Sequence, residues 1–263
     1  MKDILSDEMR SVLDEVARER MLLAFDFDGT LAPIVDDRSA AVMRETTCRL
    51  LRLVSLLYPC AVVSGRSRAD LAPRLDAVRL VAVVGNHGAE AGYGPVDLSV
   101  RDRVARWAAD VRRLLQGVEG IELEDKGLSL ALHYRRAAAP DRAERAVRAA
   151  AAALEGARVF DGHLVLNVVP SDQHDKGEAI RQVLSRIGER HAVFVGDDAT
   201  DEDAFRCDAV RVPIRVGHSE ASAALYFLEA QPRIDGLLRA LVSARRRVDG
   251  LPEDALHALE GMI

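Results

Sequence analysis

The chain of 263 residues is short of cysteine, of aromatic side chains and of net positive charge. Each shortage removes a class of protein. The three cysteines, Cys48, Cys60 and Cys207, show no metal-ligand spacing and no even-numbered disulfide framework, a pattern that suits a reducing cytosol. Aromatic residues are 4% of the chain, and the single tryptophan, Trp107, stands at helical spacing from Val104 and Val111, as a core residue does. The net charge is −6, which argues against a basic footprint for nucleic acid, and the run Arg245, Arg246, Arg247 reads as a solvated helix end. No apolar run reaches the roughly 18 residues of a membrane span. The first twenty residues carry charges throughout and lack the apolar stretch of a signal peptide. A cytoplasmic protein with neither a nucleic-acid nor a membrane partner is expected.

What is present is the balance of a globular domain, 49% hydrophobic and 30% charged, with length to bury a core. Residues 21–25, 60–63 and 80–84 are continuous apolar runs, and 192–195 and 209–216 repeat the pattern. Such runs mark strands buried on both faces. Helical spacing occupies residues 1–20, 41–57, 67–75, 177–187 and 234–242. Strands alternating with amphipathic helices predict a parallel sheet covered on both sides. The rhythm shifts near residues 92–95. Two helices, 100–116 and 141–154, then accompany the short strands IELED, LSLALHY, RVF and HLVLNVV, several of which alternate as a half-exposed antiparallel sheet should. The expected fold class is α/β: a doubly wound, Rossmann-like core from residues 1–95 and 170–263, with an inserted α+β unit at 96–169.

The chemistry gathers at the strand ends. In MLLAFDFDGTLAPI an apolar strand runs into Asp26, Asp28, Gly29 and Thr30. Residues i and i+2 of an extended chain point the same way. Ligands of open parallel sheets sit just beyond the strands' carboxyl ends. Gly29 lets the backbone turn close to a ligand, and Thr30 adds a hydroxyl. Two carboxylates this close tolerate each other when a cation lies between them or when one stays protonated. A hard cation such as Mg²⁺ takes oxygen ligands, and GDDATDED offers Asp197, Asp198, Asp201, Glu202 and Asp203 after another apolar strand. A carboxylate also serves as a nucleophile toward phosphorus. Ser64, Gly65 and Arg66 at a third strand end, with Lys176 at a helix start, would neutralise a phosphoryl group. Hydrolysis of phosphate monoesters needs accelerations up to about 10²¹-fold. Positioning supplies an effective molarity of only about 10⁸ M, so metal, nucleophile and proton donor are all required.

DFDGT, Ser64, Lys176 and GDD, in this order at these strand ends, resemble the four motifs of haloacid dehalogenase superfamily phosphatases. DFDGTLAPI, SGR, GNHG, EDKGLSLALHYR, DKG and GDDATDEDAF together resemble the trehalose-6-phosphate phosphatase family, over residues 26–205. The resemblance implies Asp26 as nucleophile and Mg²⁺ ligand. It implies Asp28 as general acid and base, binding the metal through its carbonyl, and Asp197 as the third protein ligand. Asp198 and Asp201 would contact the metal indirectly or through water, while Ser64 and Lys176 hold the phosphate. The inserted unit would be a mobile cap, in which Glu124, Lys126, His133 and Arg135 face the sugar. The implied reaction is Mg²⁺-dependent hydrolysis of trehalose 6-phosphate through an aspartyl-phosphate, with a sugar-phosphate synthase as functional partner.

One segment departs from the family. Where a pattern like GKxVLExxP is usual, this chain has GHLVLNVVP, so His163 and Asn167 replace a lysine and a glutamate. An amide both donates and accepts, whereas a carboxylate only accepts. Sites built around specific hydroxyls discriminate strongly, so another sugar phosphate or a trehalose-like pseudo-disaccharide phosphate stays open as substrate. Plainer readings stand beside these. His87 divides evenly between satisfying its own loop and touching substrate. The cap ion pairs could be surface pairs worth little. A non-catalytic module would have lost Asp26, Asp28 or Lys176, and all three are present.

Overall fold

A computed structural model describes residues 1–35, 37–90, 98–162 and 164–250. The expectations at His163 and at residues 92–95 fall outside the described residues. In chain order the elements begin β1 (Lys2–Asp3), α1 (Arg10–Glu19), β2 (Leu22–Phe25), α2 (Glu45–Leu57), β3 (Cys60–Val63), α3 (Arg68–Leu75) and β4 (Ala82–Val84). There follow α4 (Leu98–Leu114), β5 (Glu122–Asp125), β6 (Leu130–His133), α5 (Pro140–Ala152), β7 (Ala157–Gly162) and β8 (Val165–Pro170). The chain closes with α6 (Lys176–Ile187), β9 (Ala192–Gly196), α7 (Glu202–Phe205), β10 (Val210–Val216), β11 (Tyr226–Leu228) and α8 (Ile234–Asp249). Two compact units form, Met1–Ala91 with Asp175–Ile263, and Gly92–His174.

The first unit holds a seven-stranded sheet in the order β1-β11-β10-β9-β2-β3-β4, with every neighbouring pair parallel. From β2 the chain winds one way to β3 and β4, and the later strands β9, β10 and β11 lie on the other side. β2 therefore marks the point where strand order reverses, the place where open α/β sheets bind ligands. Its continuous apolar sequence follows from burial on both faces. Leu23 and Phe25 pack into one core with Val16, Leu51 and Leu238 from α1, α2 and α8. Leu22 and Ala24 pack into a second with Ile180, Val183 and Phe205 from α6 and α7.

Residues 1–20 do not form one helix. Lys2 and Ile4 donate backbone hydrogen bonds to Leu225 and Phe227, so β1 extends the sheet edge beside β11 before α1 starts at Arg10. Long-range pairing overrides helical spacing in this stretch. α8 in turn outruns its expected end. Arg245 donates to the Ala17 carbonyl and Arg247 to Asp14, so the arginine run ties α8 to α1.

The second unit has a four-stranded antiparallel sheet in the order β5-β6-β8-β7. Leu130, Leu132, Leu166 and Val168, alternate residues of the two central strands, are buried. α4 and α5 contact this sheet and bury Val104, Trp107, Val111 and Val147. Because α8 fills one side of the larger sheet, Leu238→Ala should destabilise the protein by about 2–5 kcal/mol in urea unfolding, the usual cost of a buried cavity. A loss under about 0.5 kcal/mol would show that α8 is not part of the core.

Candidate active site

At the end of β2 the Asp26 backbone N–H donates to the Val195 carbonyl of β9 at 2.8 Å, prolonging the strand pairing by one residue. The chain then turns. The Gly29 and Ala32 backbone N–H groups donate to the Ala32 and Phe27 carbonyls, each at 2.8 Å. Gly29 has φ +77°, and a Cβ there would fall 2.1 Å from Oδ2 of Asp197. Only glycine allows both the turn and that close approach. Thr30 Oγ1 donates to Asp197 Oδ1 at 3.4 Å. Gln231 Nε2 donates to the Thr30 carbonyl at 2.9 Å and the Leu31 carbonyl at 3.3 Å, fixing the loop from below α8 in the sequence.

Lys176 opens α6, whose first turn is capped by Asp175 accepting from the Glu178 N–H. Its ammonium, only 2% exposed, donates to Asp26 Oδ1 at 3.0 Å and to Asp201 Oδ1 at 2.6 Å. The other oxygen of Asp201 accepts from the Asp197 and Asp198 backbone N–H groups at 2.8 and 3.0 Å. Asp201 thus frames both the lysine and the loop that follows β9. Asp198 Oδ1 accepts from the Thr200 N–H and hydroxyl, a helix-cap arrangement. Arg215 of β10 holds the same loop, donating to the Asp198 carbonyl at 3.2 Å and pairing with Glu202.

Carboxylate oxygens of Asp26, Asp197 and Asp201 lie within 4.8 Å of one another. One ammonium faces three carboxylates, so two negative charges stay uncompensated when all are ionised. The titration behaviour follows. Burial pushes Asp26 well above the usual carboxylate range, with Lys176 opposing. Burial and then Asp26 push Asp197 up as well. Asp201 is raised by burial against the pull of Lys176. Burial pulls on Lys176 downward, but Asp201 and Asp26 outweigh it and hold the ammonium charged. An all-oxygen cluster with excess negative charge fits a hard divalent cation.

Ser64 follows β3 and is buried, its hydroxyl accepting from the Arg66 N–H at 3.3 Å. At Gly65 a Cβ would fall 2.4 Å from the His87 ring, so that ring lies against the Gly65 backbone. His87 itself has φ +58° and is buried. Arg66 is 1% exposed and grips Asp28 from Nε and Nη2, both at 2.7 Å. Asp26 and Asp28 were expected to project together. The Asp26 carboxylate pairs with Lys176 and that of Asp28 with Arg66, and Asp28 lies near enough to help raise Asp26.

In the Gly92–His174 unit, Glu124, Ala131, Asn167 and Phe160 are successive cross-strand partners along one row of the sheet. They share the face opposite the buried leucines. His133 Nε2 lies 2.9 Å from Glu124 Oε2 on that face. Asn167 is buried, and Lys126 and Arg135 are half-buried on the connections next to β5 and β6. Sequence reading missed Gln231 and Arg215 altogether, and no local pattern marks them.

A divalent cation such as Mg²⁺ should raise the thermal midpoint of the protein, since binding to the folded state alone stabilises it. Gly29→Ala should abolish that rise in calorimetry by driving a methyl into Asp197. An undiminished rise in this variant would show that the cation binds elsewhere.

Residues 24–231 match the trehalose-phosphatase family model. A trehalose-phosphate phosphatase of Mycobacterium marinum is 35% identical over 242 residues, covering 84% of this chain and 61% of that protein. One from Mycobacterium tuberculosis is 34% identical over 256 residues, covering 88% of this chain and 64% of that protein. The chain therefore spans about three fifths of the length of these relatives. Among solved structures, the C-terminal domain of C. albicans trehalose-6-phosphate phosphatase superposes with a TM-score of 0.72 at 24% identity, covering 89% of this chain and 96% of that one. A HAD subclass IIB sugar phosphatase gives 0.60 at 13% identity, covering 85% and 98%. These two likenesses concern the fold. With the family model spanning most of the sequence and its motifs standing at the ends of β2, β3 and β9 and the start of α6, the chain belongs to the trehalose-phosphatase family.

Proposed function

We propose that this protein is a Mg²⁺-dependent phosphatase that hydrolyses trehalose 6-phosphate to trehalose and phosphate through a phosphorylated Asp26. The observation that carries the reading is the buried Asp26 carboxylate, 3.0 Å from Lys176 at the point where strand order reverses. Family membership supports the substrate class. An Asp26 oxygen attacks phosphorus, and the bond from phosphorus to the sugar oxygen breaks. Asp28 gives its proton to that leaving oxygen. Water then attacks the aspartyl-phosphate and yields a proton to Asp28. The bond from phosphorus to Asp26 breaks, and both carboxyl groups return to their starting states. Lys176, held charged by its neighbours, offsets the phosphoryl oxygens together with Ser64.

Asp26, Asp197 and the carbonyl of Asp28 would hold the Mg²⁺, with Asp201 and Asp198 keeping their loop in place. When bound, the cation supplies Lewis-acid stabilisation of the transferring phosphoryl group. The Gly92–His174 unit acts as a cap that reads the sugar and excludes water. The row of Glu124 and Asn167, with Lys126, His133 and Arg135, provides its polar contacts. A sugar-phosphate synthase reaction would supply the substrate.

Asn167 favours a second reading of the substrate alone. Its amide, set between Ala131 and Phe160, presents a donor and an acceptor to a hydroxyl pattern that a carboxylate would not match. A panel of phosphorylated sugars ranked by kcat/KM decides between trehalose 6-phosphate and a related disaccharide phosphate. Equal rates across the panel would defeat selection by the cap. Asp26→Asn should lower kcat by at least about 10³-fold in a folded protein, as loss of a covalent nucleophile does. EDTA should stop phosphate release by the wild type. Retained turnover in the variant would overturn the nucleophile assignment.

A further inference from the structure

Arg66 is among the largest fully buried side chains of the protein. Its guanidinium lies 5.5 Å from the centroid of the Phe27 ring. Nε donates to Asp28 Oδ2 and Nη2 to Asp28 Oδ1, both at 2.7 Å, while Nη1 donates to Asp70 Oδ2 at 2.6 Å. Asp70 lies one turn along from Arg66 and also pairs with Arg74 at 3.3 Å. The arginine is thus braced from behind, and its fork meets both oxygens of Asp28. Two parallel charged hydrogen bonds fix the plane and rotation of a carboxylate, which a single contact does not. Asp28 sits beyond the last residue of β2, where a single bridge to Ala32 holds its backbone and the Arg66 fork holds its side chain.

We propose that Arg66 is the positioning residue for Asp28 and acts on catalysis through that carboxylate, not through a grip on phosphate. This rests on the phosphatase reading above. Arg66 itself moves no proton. Asp28 passes one to the leaving oxygen as the phosphorus–oxygen bond breaks, and it recovers one from the attacking water. The fork matches the ionised carboxylate, which the first exchange produces and the second starts from, so it favours departure of the proton and fixes the group that receives the next one. Lysine carries the charge but not the fork, so it does not replace arginine here.

Leaving-group chemistry tests the idea. An alkoxide leaving from a sugar needs the proton, whereas nitrophenolate leaves without it. kcat/KM reports only steps up to leaving-group departure. It should be measured on trehalose 6-phosphate and on 4-nitrophenyl phosphate for wild type, Arg66→Gln, Asp28→Asn and the double variant. Each single variant should lose about 10²–10⁴-fold on the sugar phosphate, the span of general acid catalysis. Each should lose less than about tenfold on the aryl phosphate. The double variant should be no worse than Asp28→Asn, because the two residues act as one unit. Equal losses of Arg66→Gln on both substrates, or losses that multiply in the double variant, would overturn the proposal in favour of direct phosphate binding. Should Arg66→Gln fail to fold, Arg66→Lys retains the buried charge and must show the same pattern. A wild type that turns over neither ester with Mg²⁺ would refute the phosphatase reading and the proposal together. Turnover by the wild type with multiplying losses refutes the proposal alone.

Discussion

The Lys176 ammonium, buried between Asp26 and Asp201, is the interaction on which the site depends. Breaking one partner of such a buried pair costs about 3–5 kcal/mol, because a charge is left without compensation. Here the compensation is also incomplete by design of the sequence. Lys176 is oversupplied with negative neighbours, while Asp26 and Asp197 are undersupplied with positive ones. The same imbalance that raises the carboxyl groups suits the cluster to the divalent cation and the phosphoryl group proposed for it. Asp201 links this charge balance to backbone geometry. It holds the lysine with one oxygen and two N–H groups of the loop after β9 with the other.

The sheet topology explains why these groups meet. β2, β3 and β9 are neighbours, and their carboxyl ends deliver Asp26, Ser64 and Asp197 from positions far apart in sequence. Gly29 and Gln231 then close the loop between them, one by lacking a side chain and one by binding two carbonyl groups. Charge is sorted in two compartments. Lys176 serves the Asp26 cluster, and Arg66 serves Asp28 and Asp70. The separation suits the proposed reaction, in which one aspartate attacks while the other moves protons.

Much of this was legible in the sequence, for physical reasons. Leu22–Phe25 and Cys60–Val63 read as strands because burial on both faces demands unbroken apolar runs. Asp26, Lys176 and Asp197 stood out because their residue types follow such runs or open a helix. The short edge strands β1 and β11 were not legible. Their pairing is long-range, and Lys2 and Asp3 carry no β signature. The separate partners of Asp26 and Asp28, Lys176 and Arg66, were not legible, because each arrives from a distant strand end or helix start. Gln231 and Arg215 were invisible since each acts across the fold on a carbonyl group, for which sequence has no code.

The central claim is that the carboxylate beside Lys176 becomes covalently phosphorylated. The most direct measurement is to quench the enzyme during turnover of a sugar phosphate with Mg²⁺, reduce the acyl phosphate with borohydride, and locate the modified residue by peptide mass spectrometry. Conversion of Asp26 to homoserine, dependent on both substrate and cation, is the result expected. Steady turnover with Asp26 unmodified and another residue reduced would contradict the account.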